Sequence, residues 1–223
     1  VGLISLNGKM TKLVDNIGGT TLGRPYSGGS YSVSNNGTIA YTQTRPEHPS
    51  DLAILGPKAK NPARVTRLND ALLNYRELGR VEEVSNKKYP FMVENHGGPI
   101  ANYGDRFSTE MQLFAASGNV VFYPNPRGST SYGEEFGNLL YNNYPGEDYN
   151  DVMDGVDHCI QKGIAHEDQL FVTGGSAGGI MSAWMIGKNN RFEAAAVIKP
   201  VMNWISKTLT ADNYFYYFDH RYP

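Results

Sequence analysis

The run Gly174-Gly175-Ser176-Ala177-Gly178-Gly179 sets one hydroxyl among small residues in a G-x-S-x-G pattern, which is the spacing of a nucleophilic serine in acyl transfer. Leu170-Phe171-Val172-Thr173 before it has the length and apolar character of a buried strand. Ile180 to Ile186 after it is apolar nearly all round, as a buried helix is. A strand turning sharply into a helix holds the serine in a strained backbone conformation and leaves no room for side chains beside it. Ser176 is therefore the candidate nucleophile. The Ala177 amide, at the helix N-terminus, is a candidate oxyanion donor, because unpaired N–H groups and the helix dipole favour developing negative charge there.

A second oxyanion donor has its own signal. His96-Gly97-Gly98-Pro99 follows the apolar run Pro90 to Glu94, so two glycines stand at another strand end, where their backbone can approach a substrate closely. Gly98 is the candidate amide; the blander reading is a glycine turn with a structural histidine. His96 is not expected to be the base, since such a loop presents amides and the catalytic histidine follows the serine in chains of this order. Asn125-Pro126-Arg127-Gly128-Ser129-Thr130-Ser131-Tyr132-Gly133 follows the strand-like Val120 to Tyr123, at the end where parallel sheets gather ligands. Arg127 either contacts substrate or uses its planar fork to tie loop carbonyls and carboxylates together. Tyr132 and the aromatic run Tyr214 to Phe218 either wall a substrate pocket or pack in a core or interface. Arg127 and Tyr132 are carried forward as substrate-binding candidates.

The elements that must position these residues fall into two textures. From residue 88 on, strand and helix patterns alternate: Phe91 to Glu94, Thr109 to Ser117, Val120 to Tyr123, Tyr149 to Lys162, Leu170 to Thr173, Ala177 to Lys188, Ala194 to Ile198. That order predicts a parallel sheet with crossover helices. Val152, Val156 and Ile160 make one core-facing stripe on the Tyr149 helix. Asp151, Asp154 and Asp157 read as a solvated face, and with no histidine among them no metal site is expected. Residues before about 84 show short alternating runs instead. Asn7-Gly8 and Asn36-Gly37 are hairpin signals, and Asp51 to Leu55 with Ala63 to Leu68 forms another strand pair around Gly56-Pro57-Lys58. Such antiparallel texture suits propeller blades or a sandwich fragment.

Three motifs in one order, HGGP, NPRGSTSYG and GGSAGG, are far more specific than any one alone, and with them the chain resembles the prolyl oligopeptidase family of serine peptidases. The likeness is nearest the acylaminoacyl-peptidase and dipeptidyl-peptidase-like branch, and extends to Asp148 to Asp157 and to Pro200-Val201-Met202-Asn203-Trp204. The resemblance implies an α/β-hydrolase domain over 85–223, its parallel sheet incomplete, preceded in 1–84 by antiparallel strands from the last one or two blades of a β-propeller. It also implies hydrolysis of short peptides through an acyl-enzyme on Ser176, with no cofactor and no metal. A carboxylesterase, or an inactive hydrolase-like binding module, is the alternative.

The chain departs from that family in two places. The family's triad aspartate and histidine follow the serine on later loops and are expected beyond Pro223, so the sequence reads as a partial record of a longer enzyme rather than a short variant. Val84 to Lys88 is a shorter join than the family's, which reads as an internal abridgement. His220 is not expected to be the base, because adjacent Asp219 cannot easily place its carboxylate behind the ring. His158 and His166 read as structural or exposed.

Composition bounds the rest. A net charge of −2 over 223 residues, without a lysine or arginine block, gives no footprint for nucleic acid and no basic face for a membrane. Cys159 is the single cysteine, so no internal disulfide forms. The chain opens at Val1 without methionine, which reads as a cut point. The compartment stays open between cytoplasm and periplasm or export, and self-association stays open too.

Overall fold

The computed structural model describes residues 1–19, 23–80 and 88–212. Residues 84–87 of the short join, the aromatic run Tyr214 to Phe218, and Asp219 with His220 lie outside the described residues. The chain divides into two compact units, Val1–Glu82 with Tyr103–Leu113, and Glu83–Asn102 with Phe114–Pro223.

The first unit is antiparallel. Strands β1 (Gly2–Ile4) and β2 (Met10–Lys12) form a hairpin. Strands β3 (Tyr31–Val33), β4 (Ile39–Arg45), β5 (His48–Leu55) and β6 (Ala63–Arg64) pair in that order into a four-stranded sheet, the form of a propeller blade. Local chemistry sets the turns: the Asn36 side chain accepts the Thr38 amide at 3.0 Å while Gly37 donates to Ser34 O at 2.9 Å. Ile39, Tyr41, Ala53 and Leu55 alternate inward and form the core with Val14. The short helix α1 (Asp70–Leu73) follows β6, and the Asp51 carboxylate of β5 is buried. Burial pushes its pKa up, but bonds from the Leu68 amide (3.0 Å), Thr66 Oγ1 (2.8 Å) and Arg64 Nε (2.6 Å) outweigh that and hold it below the ordinary carboxylate range.

The second unit is a parallel sheet. Its strands are β7 (Tyr89–Asn95), β8 (Val120–Phe122), β9 (Ala165–Gly175) and β10 (Ala194–Ile198), in the spatial order β10-β9-β7-β8. Helix α2 (Thr109–Ala116) stands between β7 and β8 in sequence, α4 (Asp148–Gln161) between β8 and β9, and α5 (Ala177–Lys188) between β9 and β10. A short helix α3 (Glu134–Gly137) runs into a 3-10 turn at Asn138–Leu140, and α6 (Trp204–Thr210) follows β10. Parallel pairing buries the central strands on both faces, which is why they read as apolar runs. Phe91 lies beside Leu170 and Val93 beside Val172, and these four pack with Val152, Met153 and Val156 of α4 and Met181 and Met185 of α5. Each such side chain contributes about 1.5–3 kcal/mol by leaving water.

The register matters most at the strand ends. Asn95 of β7 lies beside Gly174 of β9, and Gly175 beside Ile198 of β10. Three adjacent strands therefore finish together, and the loops that leave them converge at the carboxyl edge, where parallel α/β sheets place their ligands. No helix among the described residues is long and apolar enough to cross a membrane.

Candidate active site

Ser176 occupies the turn between β9 and α5 with φ 59° and ψ −116°, a conformation that costs a side-chain-bearing residue about 1–3 kcal/mol. The surroundings hold it there. Its amide donates to Ile198 O at 2.9 Å on the neighbouring strand, and its carbonyl accepts from Ile180 N at 3.0 Å as the helix begins. Gly178 makes the tight turn possible: a Cβ at that position would stand 1.9 Å from Asn95 O and 2.7 Å from Asn95 C. Only a hydrogen fits between α5 and β7. Ser176 is exposed, whereas every residue from Ala177 to Ser182 is buried, so the hydroxyl projects from an otherwise sealed helix start.

Polar groups pin that helix start. Tyr144 Oη donates to Ala177 O at 2.9 Å, Ser182 Oγ to Gly178 O at 2.7 Å, and Asn95 Nδ2 to Ser182 Oγ at 3.1 Å. The Ala177 amide is the first of α5, among the helix N–H groups that have no intrahelical partner.

The second loop leaves β7 directly. Gly98 has φ +132°, a region L side chains rarely adopt, and a Cβ there would approach Ile100 N to 2.8 Å. His96 is buried. Its Nδ1 lies 2.8 Å from Gly97 O, and because a carbonyl can only accept, Nδ1 carries a proton. Its Nε2 lies 3.0 Å from Ser129 Oγ. Burial pushes the ring's pKa below the ordinary histidine value, more than the Gly97 bond raises it, which favours the neutral ring. The Ser129 proton then lies between Nε2 and Pro126 O, the latter 2.6 Å from Oγ. Both ring nitrogens are thus engaged within the loops. Of the other described histidines, His158 is exposed, His166 Nδ1 accepts the Asp168 amide at 3.3 Å, and His48 Nδ1 donates to Pro49 O at 2.8 Å in the first unit. Among the described residues no histidine hydrogen-bonds the Ser176 hydroxyl.

The third loop leaves β8. Arg127 is held by Asp151 of α4 through three bonds, from Nε (2.8 Å), Nη2 (2.7 Å) and its own amide (2.8 Å). Burial pushes the Asp151 carboxyl up, but the Arg127 bonds outweigh it and hold the group below its ordinary range. Asp151 is therefore a loop anchor, and Asp157 likewise binds Arg191 at 2.5 Å; only Asp154 of the three is exposed. Tyr132 is exposed, with its hydroxyl 3.1 Å from Asn125 Nδ2 and its ring 5.1 Å from that of Phe136. No group of three or more His, Cys, Asp or Glu able to hold a metal occurs among the described residues.

A small pocket lies between these loops, lined by His96, Pro99, Pro126, Tyr144, Asp148 and Ala177 among others. Asp148 is 2% exposed, and burial, opposed by bonds from the Gly146, Tyr149 and its own backbone amides, pushes its pKa up to about 6. Tyr144 and Asn95 carry no signal in the sequence, because their partners lie 33 and 87 residues away; Ser129 and Asp148 lie in stretches that carry the family resemblance, but nothing in the sequence sets them apart within those stretches.

The chain is similar to known proteins in sequence and in fold. The model of the prolyl oligopeptidase family matches residues 105–223. An uncharacterized peptidase of Bacillus subtilis, YuxL, is 35% identical over 199 residues, which is 79% of this chain and 30% of that protein. The acylamino-acid-releasing enzyme 1 of Oryza sativa subsp. japonica is 36% identical over 115 residues, 51% of this chain and 15% of that enzyme. The crystallised acylaminoacyl peptidase of Pyrococcus horikoshii superposes with a TM-score of 0.75 at 22% identity, covering 86% of this chain and 34% of that one. The chain thus spans about a third or less of the length of these proteins, and its second unit has the α/β-hydrolase fold they share. The chain belongs to the prolyl oligopeptidase family.

Proposed function

We propose that this chain carries the nucleophile and oxyanion half of a serine peptidase acting on short peptides. The observation that carries the reading is the strained, exposed Ser176 at the β9–α5 turn, with a helix N-terminal amide beside it. Ser176 Oγ attacks the scissile carbonyl and gives its proton to a base outside the described residues. The carbonyl electron pair moves onto oxygen, and the Ala177 and Gly98 amides hold that oxyanion. Collapse re-forms the carbonyl and expels the amine, which takes up the proton; water then repeats the sequence on the acyl-enzyme and frees Ser176. Peptides are supported as the substrate class by the family and by relatives named for releasing acylamino acids. Tyr132 is assigned to substrate contact as an exposed ring beside the loop, and Arg127 to holding that loop on α4 with substrate reach limited to its outer edge. Nothing in the reaction calls for a cofactor.

The test is turnover of short peptide anilides by the full natural protein that carries this chain, with and without Ser176→Ala. The proposal expects an acyl-enzyme burst in the parent and loss of turnover by at least about 10³-fold in the variant. Peptide turnover that survives the substitution would sink it.

A further inference from the structure

The Ser176–Ala177 peptide carries the nucleophile and the amide assigned to the oxyanion, so its placement matters more than that of any other peptide in α5. Backbone bonds fix one side of it: the Ser176 amide donates to Ile198 O at 2.9 Å, and the Ser176 carbonyl accepts from Ile180 N at 3.0 Å. Beyond it, two buried hydroxyls reach successive carbonyls of the first turn. Tyr144 Oη donates to Ala177 O at 2.9 Å, and Ser182 Oγ to Gly178 O at 2.7 Å. A carbonyl has two lone pairs, so each bond can add to the helix ladder. The Tyr144 ring is held apart from its hydroxyl: it packs with Leu140, Ala177 and Ile180 and meets the Trp204 ring edge-on at 6.2 Å and 77°. The Ser182 hydroxyl is aimed by Asn95 Nδ2, which donates to it at 3.1 Å. Tyr144 is 6% exposed and Ser182 0%, so neither bond is readily exchanged for one to water.

We infer that Tyr144 and Ser182 are positioning residues, whose hydroxyls hold the first two carbonyls of α5 so that the Ser176 hydroxyl and the Ala177 amide stand in register for turnover. The inference rests on the peptidase reading above. Ser176 keeps its φ of 59° only where the surroundings over-determine it, and these two bonds are the side-chain share of that restraint. Helix propensity favours alanine at position 182, so the helix alone does not account for a serine there. A misplacement of about 1 Å can cost roughly 10²-fold in rate, and losing one bond of several shifts the turn less than that. Tyr144→Phe should accordingly lower kcat on a peptide anilide about 5- to 30-fold, and Ser182→Ala about 3- to 10-fold, with KM changed less than about twofold in each.

The experiment measures kcat and KM of Tyr144→Phe and Ser182→Ala in the full natural protein, with Tyr149→Phe as a control. Tyr149 Oη accepts from Asn189 Nδ2 at 3.0 Å at the far end of α5, so its loss reports what removing a tyrosine hydroxyl from this unit does away from the serine turn. Placing p-aminophenylalanine at position 144 restores an N–H donor on the same ring and should recover several-fold of the kcat that Tyr144→Phe loses. A loss of kcat in Tyr144→Phe no greater than in Tyr149→Phe, a loss confined to KM, or no recovery with the restored donor overturns the inference. Should Tyr144→Phe fail to fold, Ser182→Ala decides, and a kcat equal to that of the parent overturns it. If Ser176→Ala retains peptide turnover, the peptidase reading itself has failed; if only the Tyr144 and Ser182 variants are unaffected, this inference alone has.

Discussion

Two glycines of the same helix give opposed expectations. In α5, a Cβ on Gly178 would lie 1.9 Å from Asn95 O, 2.7 Å from Asn95 C and 3.0 Å from His96 O, all backbone atoms that cannot rotate away. Relief requires α5 or the end of β7 to move by on the order of 1 Å, and overpacking of that kind costs about 1–3 kcal/mol. A Cβ on Gly187 would meet nothing within 4 Å. There, alanine should stabilise by about 0.5 kcal/mol through helix propensity and a stiffer unfolded chain. The same displacement at Gly178 carries Ala177 and Ser176 with it, and a misplacement of about 1 Å can cost roughly 10²-fold in rate. Urea unfolding and peptide turnover of Gly178→Ala and Gly187→Ala, measured together, read both effects. If the two variants proved equally stable and equally active, the close approach of α5 to Asn95 would not be what shapes the serine turn.

Further outcomes follow from the polar groups around the site. The Asp148 carboxyl, pushed up to about 6 by burial, keeps its proton in the folded chain at pH values where the unfolded chain, near the ordinary 3.8, has released it. Its contribution to stability is therefore greatest below about pH 4 and is lost as pH rises through about 6, a change on the order of 3 kcal/mol. Urea titrations of the parent and Asp148→Asn at pH 4.5 and 7 should show the variant gaining relative stability at the higher pH; relative loss there contradicts the assignment. Arg127→Lys keeps the charge but not the fork on Asp151, and should destabilise by about 1 kcal/mol in the same assay. Equal stability would show that the paired geometry is not what anchors the loop.

What was legible in the sequence is local. The serine turn could be read because a strand-to-helix turn tolerates so few residue types, and α5 and β10 run from Ala177 to Lys188 and from Ala194 to Ile198 as their patterns predict. The turns at Asn7-Gly8 and Asn36-Gly37 were legible for the same reason. The hairpin of β4 and β5 was hidden: Pro46 and Glu47 turn between Arg45 and His48, and Pro49 lies inside β5, where proline masks a strand pattern. Strand β9 begins at Ala165, five residues before its apolar run, a start hidden by the polar stretch His166 to Gln169, of which Glu167 to Gln169 are exposed. Nor did hydropathy signal that Tyr103–Leu113 joins the first unit. The acids of α4 could be placed off the core stripe, but their arginine partners are distant in sequence: Arg127 is 24 residues from Asp151, and Arg191 is 34 from Asp157. Sequence shows which groups carry chemistry, and the fold decides which of them meet.

The central claim is that Ser176 is a nucleophile presented by its backbone. A fluorophosphonate reacts with an activated serine and leaves a covalent mark on its oxygen. Treating the full natural protein and mapping the modified peptide should place one adduct on Ser176, absent after Ser176→Ala and slowed in Gly178→Ala. An unmodified Ser176 in protein that still hydrolyses peptides, or an adduct on a different serine, would contradict the account.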